Sequence, residues 1–274
     1  MPEHLIHVAD RVLNLNESAT VAVMDKARKL KASGCSVVDL SGGDPDFPTA
    51  PHVTAAAVEA LNAGFSHYTP SRGIPELLQA ISIKLERDNG ARYNPKKEIL
   101  VLPGAKHALF IVAQALLNPG DEAILFDPGW VSYAPCVELA GALPVNVPMN
   151  MSTTVDELKE RLNAAITPRT RLVILNTPNN PTGQMWTRAQ VEVLAEAALA
   201  HDLLVLSDEI YETLAYDGNE HVSIAGLPGM LPRTLIINGL SKSHAMTGWR
   251  LGYVAGPEPC ISQILKIHHH STTF

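Results

Sequence analysis

The chain has few cysteines, no apolar run of membrane-spanning length and no excess of basic charge. Cys35, Cys136 and Cys260 lie far apart and are odd in number, which argues against a disulfide framework and favours a reducing compartment. The 21 Lys and Arg are outnumbered by 28 Asp and Glu, and a net charge of −7 disfavours nucleic acid or an anionic membrane as partner. Met1–His4 does not begin a secretory signal pattern. We therefore expect a cytoplasmic protein with no nucleic-acid and no membrane partner.

Several catalytic motifs are also missing. No GxGxxG, Walker A, HExxH or GxSxG pattern occurs, so nothing in the sequence indicates a dinucleotide site, a P-loop, a zinc hydrolase or a serine hydrolase. The adjacent histidines 268–270 cannot converge on one ion from a helix, so we interpret them as a surface or truncated-helix feature and expect no metal. A chain of 274 residues, 46% hydrophobic, is long enough for one large domain and part of a second.

Apolar segments of strand length alternate with segments of helical period through most of the chain. Helices are predicted at 106–117 and 136–141, and Thr187 with Gln190 forms a capping box that begins a helix ending near His201. The predicted strands are 99–102, 122–126, 143–147, 171–176, 203–207, 234–238 and 253–256. This alternation predicts an α/β fold, a mostly parallel sheet with helices on both faces, whose last strand is antiparallel.

The first 45 or so residues differ from this pattern. They predict a helix at 18–33, followed by an apolar segment, Val37–Leu40, and the loop Gly42–Asp46. We interpret residues 1–47 as an N-terminal arm with part of a smaller domain, and residues 48–274 as the large domain.

Polar groups follow four of the predicted strands, and ligands bind at the carboxyl ends of parallel strands. These groups are Gly104–Lys106, Asn179–Gly183, Asp208–Tyr211 and Ser241–Ser243. Lys242 also precedes Arg250 by only eight positions, and two cations so close indicate an anion between them. A phosphorylated cofactor that bonds covalently to lysine would supply that anion.

Three of these motifs are long and occur in register, so together they are specific. Asn179–Gly183 reads NNPTG, Ser207–Tyr211 reads SDEIY, and Ser241–Tyr253 reads SKSHAMTGWRLGY. With them the chain, from about residue 12 onward, resembles the fold type I pyridoxal-phosphate enzymes of the class I/II aminotransferase family. The resemblance implies that family's large-domain fold, the cofactor pyridoxal 5′-phosphate, and transfer of an amino group between an L-amino acid and a 2-oxo acid.

The resemblance also implies catalytic roles for individual residues. Lys242 would form the Schiff base with the cofactor aldehyde, helped by a pKa lowered by burial and by the cation Arg250. Asp208 would pair with the protonated pyridine nitrogen. Tyr211 and Asn180 would bind the phenolic oxygen of the cofactor, and Asn180 would also face the substrate. Taken singly, Lys242 fits a solvated lysine better and Asp208 a turn cap, while a packed Tyr and a turn Asn are plausible for the other two.

Other matched positions imply how the cofactor is held. The phosphate would be bound by Arg250 and Ser241 and by backbone N–H groups of Gly104, Ala105 and Lys106 at a helix start, with less support for Ser243. Trp130 would stack on the pyridine ring, although a core Trp is the alternative.

Two further positions imply a shared and open site. Tyr68 matches a tyrosine that reaches the phosphate of a neighbouring subunit, which would make the protein a homodimer with a shared active site. Gly43, with Gly42, would approach the substrate carboxylate through backbone N–H groups, which a side chain would obstruct.

The chain departs from the family pattern at its end, because family members continue well past Phe274 and carry there the arginine that binds the substrate α-carboxylate. We expect a fragment, or a truncated product with an incomplete small domain. The acidic and aromatic aminotransferases are the nearest class, while Ser241–Tyr253 also resembles arginine–pyruvate transaminase. Two alternatives stay open: a carbon–sulfur or β-eliminating lyase on the same cofactor, and a cofactor-binding protein without turnover.

Overall fold

The computed structural model describes residues 8–13, 15 and 17–272. This part of the chain forms helices around one seven-stranded sheet. The helices are α1 (Asp10–Leu13), α2 (Ala19–Ala32), α3 (Pro51–Asn62), α4 (Pro75–Asn89), α5 (Ala105–Leu116), α6 (Tyr133–Leu139), α7 (Val155–Ala165), α8 (Arg188–Ala200) and α9 (Glu258–Ser271). The strands are β1 (Ile99–Leu102), β2 (Glu122–Asp127), β3 (Leu143–Pro148), β4 (Thr170–Asn176), β5 (Leu204–Asp208), β6 (Thr234–Gly239) and β7 (Gly252–Ala255). No helix of the described ranges has both the length and the apolar character needed to cross a bilayer.

The strand order across the sheet is β1-β7-β6-β5-β4-β2-β3. Strands β2 to β6 pair in parallel, whereas β7 is antiparallel to both β6 and β1. Because β7 is reversed, β1 runs in the same direction as β6. The carboxyl ends of the other six strands and the start of β7 therefore lie at one edge, called here the carboxyl edge. The predicted α/β fold with a mostly parallel sheet is confirmed, as is the antiparallel last strand.

The central strands are continuous apolar runs because both faces of the sheet are covered. Every residue of β6 is buried. On one face Leu109 of α5 and Ile261 of α9 pack with the sheet, and on the other Leu158 of α7 and Leu194 of α8 do so. Truncating one such leucine to alanine costs about 2–5 kcal/mol. This core fixes the strand ends that carry the predicted site.

A third cluster joins α4 to the β1 side of the sheet. Leu78 and Leu85 of α4 pack there with Tyr93, Ile99 and Ile236. The buried hydroxyl of Tyr93 donates to the carbonyl oxygen of Thr234 over 2.9 Å, at the amino end of β6. The cluster therefore lies against the end of β6 opposite the carboxyl edge.

Most predicted boundaries agree with the structure to within one or two residues. The capping box is confirmed, since Thr187 Oγ1 accepts from Gln190 N and the Gln190 side chain accepts from Thr187 N. The helix predicted at 136–141 begins earlier, at Tyr133, and ends at Leu139. No bounds were predicted for α1, α3, α4, α7 and α9. Of these, α3 and α4 begin at a proline, which is favoured in the first turn.

The segment before α3 lies against the loop after β6. Thr49 Oγ1 donates to the carbonyl oxygen of Ala245 over 2.7 Å, and Thr247 Oγ1 donates to Asp44 Oδ1 over 2.7 Å. These contacts bring the Gly42–Asp46 loop to the carboxyl edge.

The interpretation of the three histidines as a surface feature is wrong for one of them. His269 and His270 of α9 are exposed, but His268 is only 1% exposed. Successive helical residues point about 100° apart, so one of three adjacent positions turns toward the core.

Candidate active site at the carboxyl edge

The structure places most of the predicted site residues on neighbouring strand ends. Asp208 is the last residue of β5, and Lys242 follows β6 by three residues. Asn180 lies in the loop after β4, and Gly104 follows β1. Because β4, β5 and β6 are adjacent in the sheet, the segments that carry Asn180, Asp208 and Lys242 lie side by side at its carboxyl edge.

Asp208 is a deeply buried acid at this edge, with 4% of its surface exposed. Its Oδ2 accepts a hydrogen bond from the hydroxyl of Tyr133 over 2.8 Å, and its Oδ1 accepts from the Ile210 N–H over 3.3 Å. Burial raises the pKa of Asp208 to about 6, while these two hydrogen bonds oppose the rise and the negative charge of Glu209 adds to it. A buried carboxylate with acceptor sites to spare suits a cationic partner.

Lys242 is half-buried in the loop after β6, and burial lowers the pKa of its amine. The negative charge of Asp44 opposes that change, and the positive charge of Arg250 adds to it. Its Nζ donates to the carbonyl oxygen of Gly43 and lies 5.9 Å from the ring centre of Tyr211. A lysine whose amine is partly neutral is a better nucleophile and base than a solvated one.

A chain of amides links the loop after β4 to the end of β5. Asn176 Nδ2 donates to the carbonyl oxygen of Asp208 over 3.0 Å, and Asn176 Oδ1 accepts from the Asn180 N–H over 2.7 Å. Asn180 Nδ2 in turn donates to the hydroxyl of Tyr211 over 3.3 Å. The predicted pair Asn180 and Tyr211 is therefore in contact, and Asn176 fixes its position relative to Asp208.

Arg250 and Gly104 lie together at the start of α5. A Cβ placed on Gly104 would be 2.6 Å from Arg250 Nη2, so a side chain there would force the guanidinium out of its observed position. Gly104 has φ +90°, and Arg250 itself has φ +54°, which is uncommon for a residue with a side chain and points to a positional constraint. Arg250 Nη1 donates to the carbonyl oxygen of Thr247 over 2.8 Å.

The three backbone donors predicted around Gly104 are not equivalent. Its own N–H donates to the carbonyl oxygen of Leu102 over 2.6 Å and is thereby occupied, contrary to the predicted role. Ala105 and Lys106 lie in the first turn of α5, where N–H groups have no acceptor within the helix. At this terminus the N–H groups of Ala105 and Lys106 therefore have no acceptor within the helix and could serve an anion, with the guanidinium of Arg250 beside them.

Trp130 lies in the turn after β2, half-buried, with the Lys106 ammonium 4.9 Å from its ring centre. Its ring meets that of Tyr133 edge-on, with centroids 5.5 Å apart and planes at 85°. Ser241 is buried at the start of the Lys242 loop, and the hydroxyl of Ser243 is within 2.7 Å of His244 Nδ1.

Of the remaining predicted residues, Tyr68 stands apart from the cluster, whereas Gly43 contacts Lys242. Tyr68 is 82% exposed, and no hydrogen bond or ring contact found among the described residues joins it to the other site residues. Gly43 does reach Lys242, but a Cβ added to it would meet no atom within 4 Å in the described part of the chain. Crowding within this chain therefore does not account for a glycine at that position.

Tyr133 and Asn176 touch site residues, yet sequence reasoning did not select them. Asn176 is the last residue of β4, and nothing in the sequence marks it as part of a site until its contacts with Asp208 and Asn180 are known. Tyr133 follows Trp130 by three residues, a spacing that puts both on one side of a helical turn. That spacing was the available signal.

The model of the family "Aminotransferase class I and II" matches residues 36–273. The chain belongs to that family. Aminotransferases of this family depend on pyridoxal phosphate.

Several curated relatives of this aminotransferase chain are named aspartate aminotransferase. That of Geobacillus stearothermophilus is 49% identical over 97% of this chain and 68% of the relative. That of Musicola paradisiaca is 47% identical over 96% of this chain and 66% of the relative. A solved structure, the aspartate aminotransferase of Thermus thermophilus with maleate, aligns with a TM-score of 0.92 and 43% identity, covering 98% of this chain and 69% of the other. The chain thus spans about two thirds of the length of these relatives.

The donor set of this aminotransferase chain fits pyridoxal phosphate. The glycine that leaves space for Arg250 Nη2, beside the first turn of α5, suits a phosphate. The buried Asp208 carboxylate suits a protonated ring nitrogen, because an unpaired charge in such a place is unfavourable. Lys242 supplies an amine of lowered pKa.

Proposed function

We propose that this chain is part or all of a pyridoxal-phosphate-dependent aminotransferase that takes an acidic amino acid such as aspartate. The observation that carries this proposal is the placement of a buried carboxylate, Asp208, and a half-buried amine, Lys242, after adjacent strands. The names of the relatives support aspartate as amino donor.

The bound cofactor supplies an aldehyde that accepts the amino group and a ring that takes up the electron pair left on the substrate carbon. Lys242 Nζ is the amine that would bond the cofactor and, once released, would accept the proton of the substrate Cα and hold it for return. Its lowered pKa increases the neutral fraction that can accept that proton. Asp208 holds the ring nitrogen in its protonated form by charge.

Other residues hold the cofactor in position. Arg250 and Ser241, with the N–H groups of Ala105 and Lys106, bind the phosphate, and Trp130 covers one face of the ring. The pair formed by Asn180 Nδ2 and the hydroxyl of Tyr211 donates to the phenolic oxygen. Burial raises the pKa of Tyr211, which keeps its hydroxyl in the donating form.

The remaining parts of the proposal concern assembly. Tyr68 extends from one subunit to the phosphate in the other, so the protein is a homodimer with a shared site; its exposure supports this. Gly43 and Asn180 face the substrate. Residues 1–47 form an arm and part of a second domain, residues 48–274 form the large domain, and the protein is cytoplasmic.

The test is cofactor fixation followed by turnover. We expect the purified chain mixed with pyridoxal phosphate to develop a visible absorbance, and borohydride to fix the cofactor on the peptide containing Lys242. The variant Lys242→Ala should lose both signals, while the matched control Lys266→Ala, an exposed lysine of α9, should keep them.

L-aspartate and a second 2-oxo acid are then added to the chain. Formation of oxaloacetate without ammonia supports the aminotransferase. Ammonia release supports the lyase, and fixation without any product supports a binding protein without turnover. A labelled peptide that lacks Lys242 refutes the assignment of the anchor.

A further inference from the structure

The hydroxyl of Tyr133 is one of two hydrogen-bond donors to the Asp208 carboxylate among the described residues. We propose that Tyr133 is a positioning residue, which orients Asp208 and keeps its carboxylate ionised for the ring nitrogen of the cofactor. The proposal rests on the proposed function, because it assigns to Asp208 its cationic partner.

The geometry fixes Tyr133 tightly. It begins α6, its N–H donates to the carbonyl oxygen of Trp130 over 3.1 Å, and its ring packs edge-on against Trp130. It is 5% exposed. A hydroxyl held from both the backbone and the ring approaches Asp208 Oδ2 from one direction only.

That direction leaves the rest of the carboxylate available. An ionised carboxylate offers about four acceptor positions. Tyr133 takes one on Oδ2 at 2.8 Å, and the Ile210 N–H takes one on Oδ1 at the longer distance of 3.3 Å. The shorter bond, from a hydroxyl to a charged oxygen, is the stronger of the two. Tyr133 therefore sets the plane in which Asp208 presents its remaining oxygen positions.

The electrostatic surroundings explain why a donor is needed. Three titratable groups bear on Asp208: Tyr133, Tyr211 and Glu209, which follows it and is fully buried. Burial and the charge of Glu209 both favour the neutral acid, whereas the hydroxyl of Tyr133 favours the anion. The pKa of Tyr133 is itself raised by burial and by the charge of Asp208, so the phenol keeps its proton.

One turn of chain thus carries two parts of the site. Trp130 forms the wall against the ring, and Tyr133, one turn later, holds the carboxylate. A tyrosine of the core needs only some hydrogen-bond acceptor for its buried hydroxyl, and a backbone carbonyl oxygen is enough. Tyr133 donates instead to the carboxylate that is proposed to face the cofactor. Tyr93 shows that simpler role, since its buried hydroxyl donates to a backbone carbonyl oxygen.

The experiment measures the protonation of Asp208 directly, without cofactor. The 274-residue chain is labelled with 13C at the aspartate carboxyl carbon, the Asp208 signal is identified by its loss in Asp208→Asn, and its chemical shift is followed against pH. Loss of one hydrogen bond to the anion in Tyr133→Phe should bind the proton about three- to tenfold more tightly, raising the midpoint by about half to one pH unit. Tyr93→Phe is the matched control and should leave the midpoint unchanged.

A second measurement uses pyridoxal phosphate as the probe. If the midpoint rises from about 6 by about one unit, the ionised fraction of Asp208 at pH 6 falls from about a half to about a tenth. The affinity of Tyr133→Phe for the cofactor should then be about fivefold weaker at pH 6 and nearly unaltered at pH 8.5.

The proposal is overturned if the Asp208 midpoint in Tyr133→Phe equals that of the parent. It is also overturned if the Asp208 midpoint shifts by the same amount in Tyr133→Phe and in Tyr93→Phe. If Tyr133→Phe does not fold, the 13C chemical shift of Tyr133 Cζ in the parent chain decides the question. It should change with pH at the Asp208 midpoint, and that change should be absent in Asp208→Asn. Absence of this change in the parent chain also overturns the proposal. These readings are separate from borohydride fixation on Lys242, whose failure would instead sink the proposed function.

Discussion

Replacing Asp208 by Asn should change the pH dependence of folding stability in the cofactor-free chain. The pKa of the folded acid is about 6, against 3.8 for the ordinary carboxyl, because burial disfavours the anion. The folded state therefore holds its proton more tightly than the unfolded state, and stability falls as pH rises from about 4 to about 6. One pKa unit corresponds to about 1.4 kcal/mol, so at pH 8 the free energy of unfolding is lower by about 3 kcal/mol than at a pH where Asp208 is protonated in both states. At pH 4 the corresponding loss is about 0.5 kcal/mol. The asparagine has no charge to bury.

The assay is urea unfolding of the parent and of Asp208→Asn at pH 4 and pH 8. The free-energy difference between the two proteins should shift by about 2–3 kcal/mol in favour of the asparagine variant between the two pH values. Comparing differences cancels every other titrating group and the constant effect of the amide. The same difference at both pH values would show that Asp208 is not destabilised as an anion, and would refute the reasoning about its burial.

Two further substitutions test the contact between Gly104 and Arg250 and the capping of α8. Gly104→Ala should weaken pyridoxal phosphate binding at least about tenfold, because its Cβ would meet Arg250 Nη2 at 2.6 Å. The control Gly120→Ala has a similar φ of +88° and no atom within 4 Å among the described residues, so it should destabilise the fold without weakening cofactor binding. Affinities are measured by titration of the visible absorbance, and equal affinities for the two variants would contradict the role of Gly104. Thr187→Ala should lower the free energy of unfolding by about 1 kcal/mol, because it removes the capping box of α8, and an unchanged urea midpoint would count against that account.

The parallel sheet was predictable because each buried strand is a short, continuous apolar segment. The run in β6, Leu235–Ile237, has no helical period, and its neighbours behave alike. The strand order was not predictable from these segments, because pairing depends on contacts far apart in sequence. Helix α3 has no buried residue among its twelve, so no core-facing stripe marked it in advance.

Within the site, residues in long motifs were predictable and isolated ones were not. Lys242, Asp208, Asn180, Tyr211 and Arg250 occur in motifs, and the structure brings them to one edge. Their detailed contacts came only from the fold. The N–H of Gly104 is occupied by the carbonyl oxygen of Leu102, which depends on a turn that the residue types alone do not determine. Tyr133 matters only because β2 and β5 bring it to Asp208.

The reversal of β7 determines how the loop after β6 is held by the sheet. Gly252, at the start of β7, pairs with Gly239 at the end of β6 and with Leu102 at the end of β1. The loop that carries Lys242 and Arg250 is therefore held at both ends by paired strands, β6 before it and β7 after it. Because the sheet holds both ends of this loop, the position of Lys242 relative to Arg250 is set by the strands and not by the N-terminal segment that lies against the loop.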